Sequence, residues 1–388
     1  MPYCPELSKF DRIALNFFTA FHCIEQAVAM EVSLMIGKTF GHYEITNPIG
    51  KSGKGVVYQA KGQKLEDVVI NRLLNSVEPS IRYKTRIYIL GESPDSPSIR
   101  QLQEEIRSSP RVTTLLSERG PDGRIPFHPY AKFYGAHWVL ATLADIGYPP
   151  GDETLMPLRD QVLEWIASHE YETRLIRRRK KGPVRIHASV DGNAIFAILT
   201  LRLGDPRLDI LIRHLLDYQW PDGGWNCDLK AKGTTSSFDE TWLAFRALAL
   251  HARLTGNSDS RKAAERAAEV LLARRLCWRQ SDGRVIKGNY LTLHYPYYWH
   301  YDLLAGLRAM AETGFIGDVR CEDALELLES KRMPGGGFPA EKAYYRATKR
   351  MVGSGRSLVN WGGIRSRHLN EWVTVDSLAV LRAAHRLL

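Results

Sequence analysis

Carboxylates and aromatic rings in the second half of the chain are the groups best suited to do chemistry. Aligning Leu307-Arg308-Ala309 with Leu381-Arg382-Ala383, and with the variant Phe245-Arg246-Ala247, superposes Glu240, Asp302 and Asp376. Asp239 precedes Glu240, and Asp191 sits just ahead of another apolar stretch. A carboxylic acid kept protonated by apolar surroundings can act as a general acid. Asp376, in Val373-Thr374-Val375-Asp376-Ser377, has the most apolar flank and is the first candidate, followed by Asp302 and Asp239. Helix capping accounts for the same acids at about 0.5–2 kcal/mol per cap, and both readings stand at this level.

The aromatics cluster in the same regions. Trp138, Trp225, Tyr297, Tyr298, Trp299, Trp361 and Trp372 are the expected substrate contacts, accompanied by Phe133, Tyr134, Tyr295 and Tyr301. Aromatic faces stabilise cations through their quadrupole. Large rings equally fill wedges between packed helices, and the two roles are compatible.

The elements that must position these groups follow from periodicity. After residue 98, apolar residues recur at helical spacing, as in Leu211, Ile212, Leu215 and Leu216. Turn cassettes recur at Asp122-Gly123-Arg124-Ile125, Asp222-Gly223-Gly224-Trp225 and Asp282-Gly283-Arg284-Val285, with a degenerate copy at Gly335-Gly336-Gly337-Phe338. The first interval is about twice the others, so a disguised copy is expected near Lys181-Gly182-Pro183. Each cassette is followed by an apolar helix, expected over 138–146, 193–203, 241–254, 303–312 and 377–386. About five helical hairpins result, each unable to bury its apolar face alone, so they must stack. Long aromatic connections favour closure into an α/α toroid over an open solenoid, with the acids ringing one mouth.

Leu215-x3-Gln219-Trp220-Pro221-Asp222-Gly223-Gly224-Trp225 resembles the QW repeat of the squalene cyclase and protein prenyltransferase superfamily, although His214 replaces the usual aromatic. The resemblance covers residues 98–388. It implies an α/α toroid that binds or cyclises a hydrophobic isoprenoid, by proton-initiated, metal-free isomerase chemistry if catalytic. The family's Asp-x-Asp-Asp and Asp-Asp-x-x-Asp motifs are absent, because no two Asp residues are adjacent. The zinc ligands of the prenyltransferases are matched only by a conceivable Cys227, Asp239 and His300 set, so no metal and no cofactor are expected. A non-catalytic scaffold and a carbohydrate-active lyase or hydrolase on the same fold are the alternatives.

Upstream, short β-branched runs at Gly55–Tyr58, Asp67–Ile70 and Arg86–Leu90 read as strands, giving a β-rich segment over 36–97 behind a helical or disordered 1–35 extension. Ile49-Gly50-Lys51-Ser52-Gly53-Lys54-Gly55-Val56-Val57-Tyr58 resembles the Gly-rich hairpin of bacterial Hanks-type Ser/Thr kinases. Asn71 stands where the phosphate-pairing Lys belongs and neither His-Arg-Asp nor Asp-Phe-Gly follows, so no active kinase and no ATP binding are expected.

Composition bounds the rest. The 388 residues are 44% hydrophobic and 25% charged, which excludes wholesale disorder. Five scattered cysteines without a C-x-x-C argue for free thiols in a reducing compartment, hence a cytoplasmic location. No run of eighteen apolar residues occurs. The formal charge of +10 is concentrated in part at Arg174, Arg177, Arg178, Arg179, Lys180 and Lys181, a solvated loop or a peripheral membrane contact. No aromatics interleave with these charges, so no specific nucleic-acid partner is expected; the oligomeric state is open.

Overall fold

The computed structural model describes residues 12–15, 39–40, 43–52, 55–62, 65–177, 182–229, 234–349, 353–364 and 367–387. The chain divides into two compact units, Met1–Arg72 and Leu73–Leu388.

In the first unit, β1 (Arg12–Leu15), β2 (Thr39–Phe40), β3 (Tyr43–Ser52) and β4 (Gly55–Gly62) form an antiparallel sheet in the order β1-β4-β3-β2. The β3/β4 register shifts between Ile45 and Asn47 and again between Pro48 and Gly50. Pro48 has no N–H to give the ladder, which explains irregularity on either side of it. The Gly-rich motif therefore lies on a hairpin. Asn71, however, lies in helix α1 (Leu65–Leu74), not in a strand.

Two strand expectations are corrected here. Val68-Val69-Ile70 is helical, because Val69 and Leu73, four residues apart, are both buried and define one helix face. Ile87–Ile89 belongs to a π turn, Thr85–Ile89, closed by Leu90 N donating to Thr85 O. β-Propensity is a weak prior that packing overrides. The unit boundary falls at Arg72/Leu73, so residues 73–97 join the helical unit rather than the expected β-rich segment.

The second unit is mainly helical. Ser-Pro and Glu-Pro pairs start its first helices: α2 (Pro79–Lys84), α3 (Pro97–Arg107) and α4 (Pro110–Leu115). In each, proline occupies the first turn and the preceding side chain accepts from a free backbone N–H. There follow α5 (Ala136–Asp145), α6 (Met156–Ile166), α7 (His169–Arg177), α8 (Ala188–Thr200) and α9 (Leu208–Asp217). The last are α10 (Phe238–Thr255), α11 (Ser258–Leu272), α12 (Leu303–Thr313), α13 (Glu322–Ser330) and α14 (Glu371–Ala383).

Neighbour relations order these helices. α5 packs on α8, α8 on α10, α10 on α12, α12 on α14, and α14 on α2 and its π turn. Lys84, ending α2, lies 3.5 Å from Asp145, ending α5. A second set covers the first: α3 on α2, α6 on α5, α9 on α8, α11 on α10 and α13 on α12. Trp138, Trp225, Trp242, Phe245, Phe338 and Trp361 are among its largest buried side chains.

α8 and α14 begin five and six residues earlier than periodicity predicts. The run Trp372-Val373-Thr374-Val375 reads as extended, yet Asn370 Oδ1 accepts from both Trp372 N and Val373 N and starts the helix there. Asp376 and Asp191 thus lie inside helices and are not caps. Among the described residues, no helix is long and apolar enough to cross a membrane.

Candidate functional site

The three expected acids occupy three different environments. Asp302 caps α12: its Oδ1 accepts from Ala305 N at 2.7 Å, and its Oδ2 from His294 N at 3.0 Å, with His294 Nδ1 2.6 Å away. Both residues are fully buried, so the pair is part of the interior.

Asp376 is buried among charges rather than apolar groups. Its carboxylate is 2.7 Å from Lys84 Nζ in an ion pair and accepts from Tyr297 Oη at 2.9 Å and from Arg308 at 3.2 Å. Arg308 also reaches Asp145 at 2.6 Å and Glu312 at 2.9 Å, and Arg246 pairs with Glu312 at 2.5 Å. Two cations therefore adjoin Asp376, and its surroundings are not the apolar ones that its sequence flank suggests. Burial alone would raise the carboxyl of Asp145, but Arg308 and Lys84 more than offset this and hold it below the ordinary carboxylate range. The same balance, with Arg246 and Arg308, lowers Glu312.

Asp239, second residue of α10, faces an open pocket of about 750 Å³. It accepts from Lys287 Nζ at 2.9 Å and from Tyr301 N at 3.2 Å, with Tyr290 Oη at 3.4 Å. Asn226, Ser236, Arg279 and Asn289 add hydrogen-bonding groups to its wall. So does a stack of three rings: His300 lies on Tyr344 with centroids 3.5 Å apart and on Trp299 at 4.2 Å. All three rings are half-buried. Burial, then nearby His294, pushes His300 down to about 3, so its imidazole is neutral at physiological pH.

Behind this wall, Glu240 meets His187 and Cys227. One ligand-type atom from each, an imidazole nitrogen, a thiol sulfur and a carboxylate oxygen, lie within 4.8 Å of one another. Glu240 is 5% exposed and its Oε2 accepts from Ser189 N at 2.8 Å, while Oε1 is 3.5 Å from His187 Nδ1. Burial raises the Glu240 carboxyl, but His187, Cys227 and the Ser189 amide pull it below its ordinary value. The loop carrying Cys227 is pinned by Asn226, which accepts from Asp228 N at 2.7 Å and donates to Thr235 O at 2.8 Å. The sequence-level set of Cys227, Asp239 and His300 is thus replaced as a cluster by His187, Cys227 and Glu240. His187 carries no periodic or motif signal.

Of the expected aromatic contacts, only Trp299 lines the open pocket. Trp138, Trp225, Tyr297, Tyr298, Trp361 and Trp372 are buried. They pack on other rings or backbone: Tyr298 stacks on Phe133 at 3.6 Å, Trp372 stacks on Tyr295 at 4.8 Å and meets Trp361 edge-on, and Trp225 Nε1 donates to Leu215 O at 3.0 Å. The basic run at 177–181 lies outside the residues whose side chains are described. Arg308 and Asp145 escaped sequence reasoning because each is a lone charge within an apolar context, and Lys84 because Arg82 and Arg86 beside it make it read as one of a solvated basic set. No family model matches the chain, and no curated protein matches it.

Proposed function

We propose that the helical unit is an α/α toroid that binds a carbohydrate-class ligand in the open pocket beside Asp239. Support for the ring comes from the order of packed helices α5, α8, α10, α12, α14 and α2, and from the Lys84–Asp145 ion pair that links α2 to α5. The observation that carries the ligand class is the half-buried Trp299–His300–Tyr344 stack on the wall of a pocket otherwise rich in donors and acceptors. A sugar ring offers an apolar C–H face to such a stack and hydroxyls to Asp239, Asn226, Arg279 and Lys287. The interior tells against an isoprenoid there, since Lys84, Arg246, Arg308 and Asp376 are buried charges in it, with half-buried Asp145 and Glu312 paired to them. Charges desolvated in this way are tolerated only when paired, and an apolar ligand cannot replace those pairs.

Binding is the function this geometry supports, ahead of hydrolysis. Inverting and retaining glycosidases need one protonated carboxylic acid. Here Asp239 is paired with Lys287, and Glu240 is held in its ionised form. Titration with neutral and acidic oligosaccharides, followed by tryptophan fluorescence, tests the reading. A saturable change that weakens at least about tenfold in Trp299→Ala supports it. No saturable change with any sugar, or undiminished binding by Trp299→Ala, ends it.

A second pocket of about 310 Å³ keeps an isoprenoid reading in play. Phe196, Leu250 and Val380 give it apolar walls, and Asp376 and Arg308 border it. Mass spectrometry of an organic extract of the purified protein, beside incubations with squalene and farnesyl diphosphate, decides this. A co-purifying lipid or a cyclic product lost in Asp376→Asn favours it; neither removes it.

A further inference from the structure

The buried carboxylate of Glu240 lacks a full counter-charge. No Lys or Arg is paired with it among the described residues; its nearest basic neighbour is the partly exposed imidazole of His187. Asp376, by contrast, has two cations in contact, and the other carboxylates that meet only an imidazole, Asp191 and Asp302, have no thiol completing a ligand cluster beside them among the described residues. Beside Glu240 stand the two other ligand types that a borderline-soft divalent ion prefers, an imidazole and a thiol.

We infer that His187, Cys227 and Glu240 form a zinc-type metal site with one coordination position left open towards the pocket. The ligand set is one nitrogen, one sulfur and one oxygen, which is the donor number of a catalytic rather than a closed structural zinc site. Present separations of up to 4.8 Å exceed those in a tetrahedral shell, roughly 3.3–3.8 Å from the usual bond lengths, by about 1 Å. His187 immediately precedes α8 and Cys227 sits on a loop, so both can close that gap, whereas Glu240 is fixed within α10. Ser189 N already holds the second oxygen of Glu240 and leaves the first for the metal. On binding, Cys227 gives its thiol proton to solvent, and the thiolate and carboxylate together neutralise the dication. Cys227 and Glu240 also line the open pocket, so a bound ion would present its fourth position to whatever occupies it. This inference does not depend on the identity of that occupant.

The experiment uses the full chain, stripped with chelator and titrated with zinc(II) alone against a chromophoric competitor, then with cobalt(II). One equivalent bound, release of about one proton, and a cobalt–thiolate charge-transfer band are expected. Cys227→Ser should abolish the band, and Glu240→Gln and His187→Asn should each weaken zinc binding on the order of 100-fold. Cys321→Ala, altering another thiol, should leave both unchanged. If Cys227→Ser fails to fold by circular dichroism, the other two variants decide. Absence of stoichiometric binding, or binding that survives all three ligand substitutions, overturns the site. Sugar titrations on the stripped protein are read separately, so loss of one result leaves the other intact.

Discussion

At the residue scale, the decisive finding is that Asp376 sits between two cations. Lys84 is fully buried and its Nζ is 2.7 Å from the Asp376 carboxylate. Removing Lys84 leaves Arg308 as the one cation on a buried carboxylate, so Lys84→Met is expected to lower stability by up to about 3–5 kcal/mol in urea titrations. Lys84→Met combined with Asp376→Leu should recover part of that loss, because the desolvation cost of both ions disappears together. A Lys84→Met loss below about 1 kcal/mol would show that the pair is not formed. The lysine was invisible in the sequence, since Tyr83-Lys84-Thr85 just precedes the run Arg86–Leu90 that read as a strand and carries no motif of its own. Asp376 itself was legible as an unusual acid, but its partners come from α2 and α12, far away in the chain, and no local pattern reports them.

At the scale of elements, the turn after α9 shows what the QW-like signature does. Gln219 Nε2 donates to Gly223 O at 2.7 Å and Ala263 O at 2.8 Å, tying the turn to α11. Gly223 has φ of +101°, and a Cβ there would meet Arg266 O. Trp225 fills the space behind it and is fully buried. Trp225→Ala is expected to cost about 3–5 kcal/mol, and Gln219→Leu about 1–2 kcal/mol, by thermal and urea unfolding. A second close approach joins α8 to α10: a Cβ on Gly192 would stand 2.7 Å from Ala244 N. Helix propensity alone favours Gly192→Ala by about 1 kcal/mol, so a net loss of 1–3 kcal/mol would identify the steric contact as the dominant effect. A gain in stability would mean the two helices sit further apart. Helix identity was legible wherever Leu and Ala recurred at helical spacing; starts were missed where a β-branched run opened the helix, as at Trp372–Val375.

At the scale of the whole molecule, acid sensitivity follows from the charged interior. Asp145 and Glu312 have folded-state values below their ordinary ones, despite burial, because Arg308, Lys84 and Arg246 adjoin them. A depressed carboxyl contributes stability that is fully present above the unfolded value and is lost as pH falls towards the folded one. His300 and His137, held down to about 3 in the fold, let the unfolded state take up protons first, so stability should begin to fall below about pH 6.5 and fall more steeply below about pH 4, where unfolded carboxylates protonate. Asp145→Asn should flatten that decline relative to its own value at neutral pH; an unchanged acid slope would remove Asp145 from the network. The mainly helical class was legible from repeats alone, whereas the open pocket was not, because its wall gathers residues from the loops before α10, α12 and α14.

One contact has a bearing on how the protein is made. Ser76 Oγ donates to Glu371 Oε2 at 2.8 Å across 295 positions, and Lys84 meets Asp376 alongside. The earliest helix of the unit therefore waits for its last one. A ribosome adding roughly 5–20 residues each second leaves Lys84 without its partner for many seconds of synthesis. During that interval the partly made chain must hold a cation-bearing apolar face in water, and a chain cut short before α14 would carry it permanently. Truncated products of this protein should be the ones that chaperones retain and proteases clear.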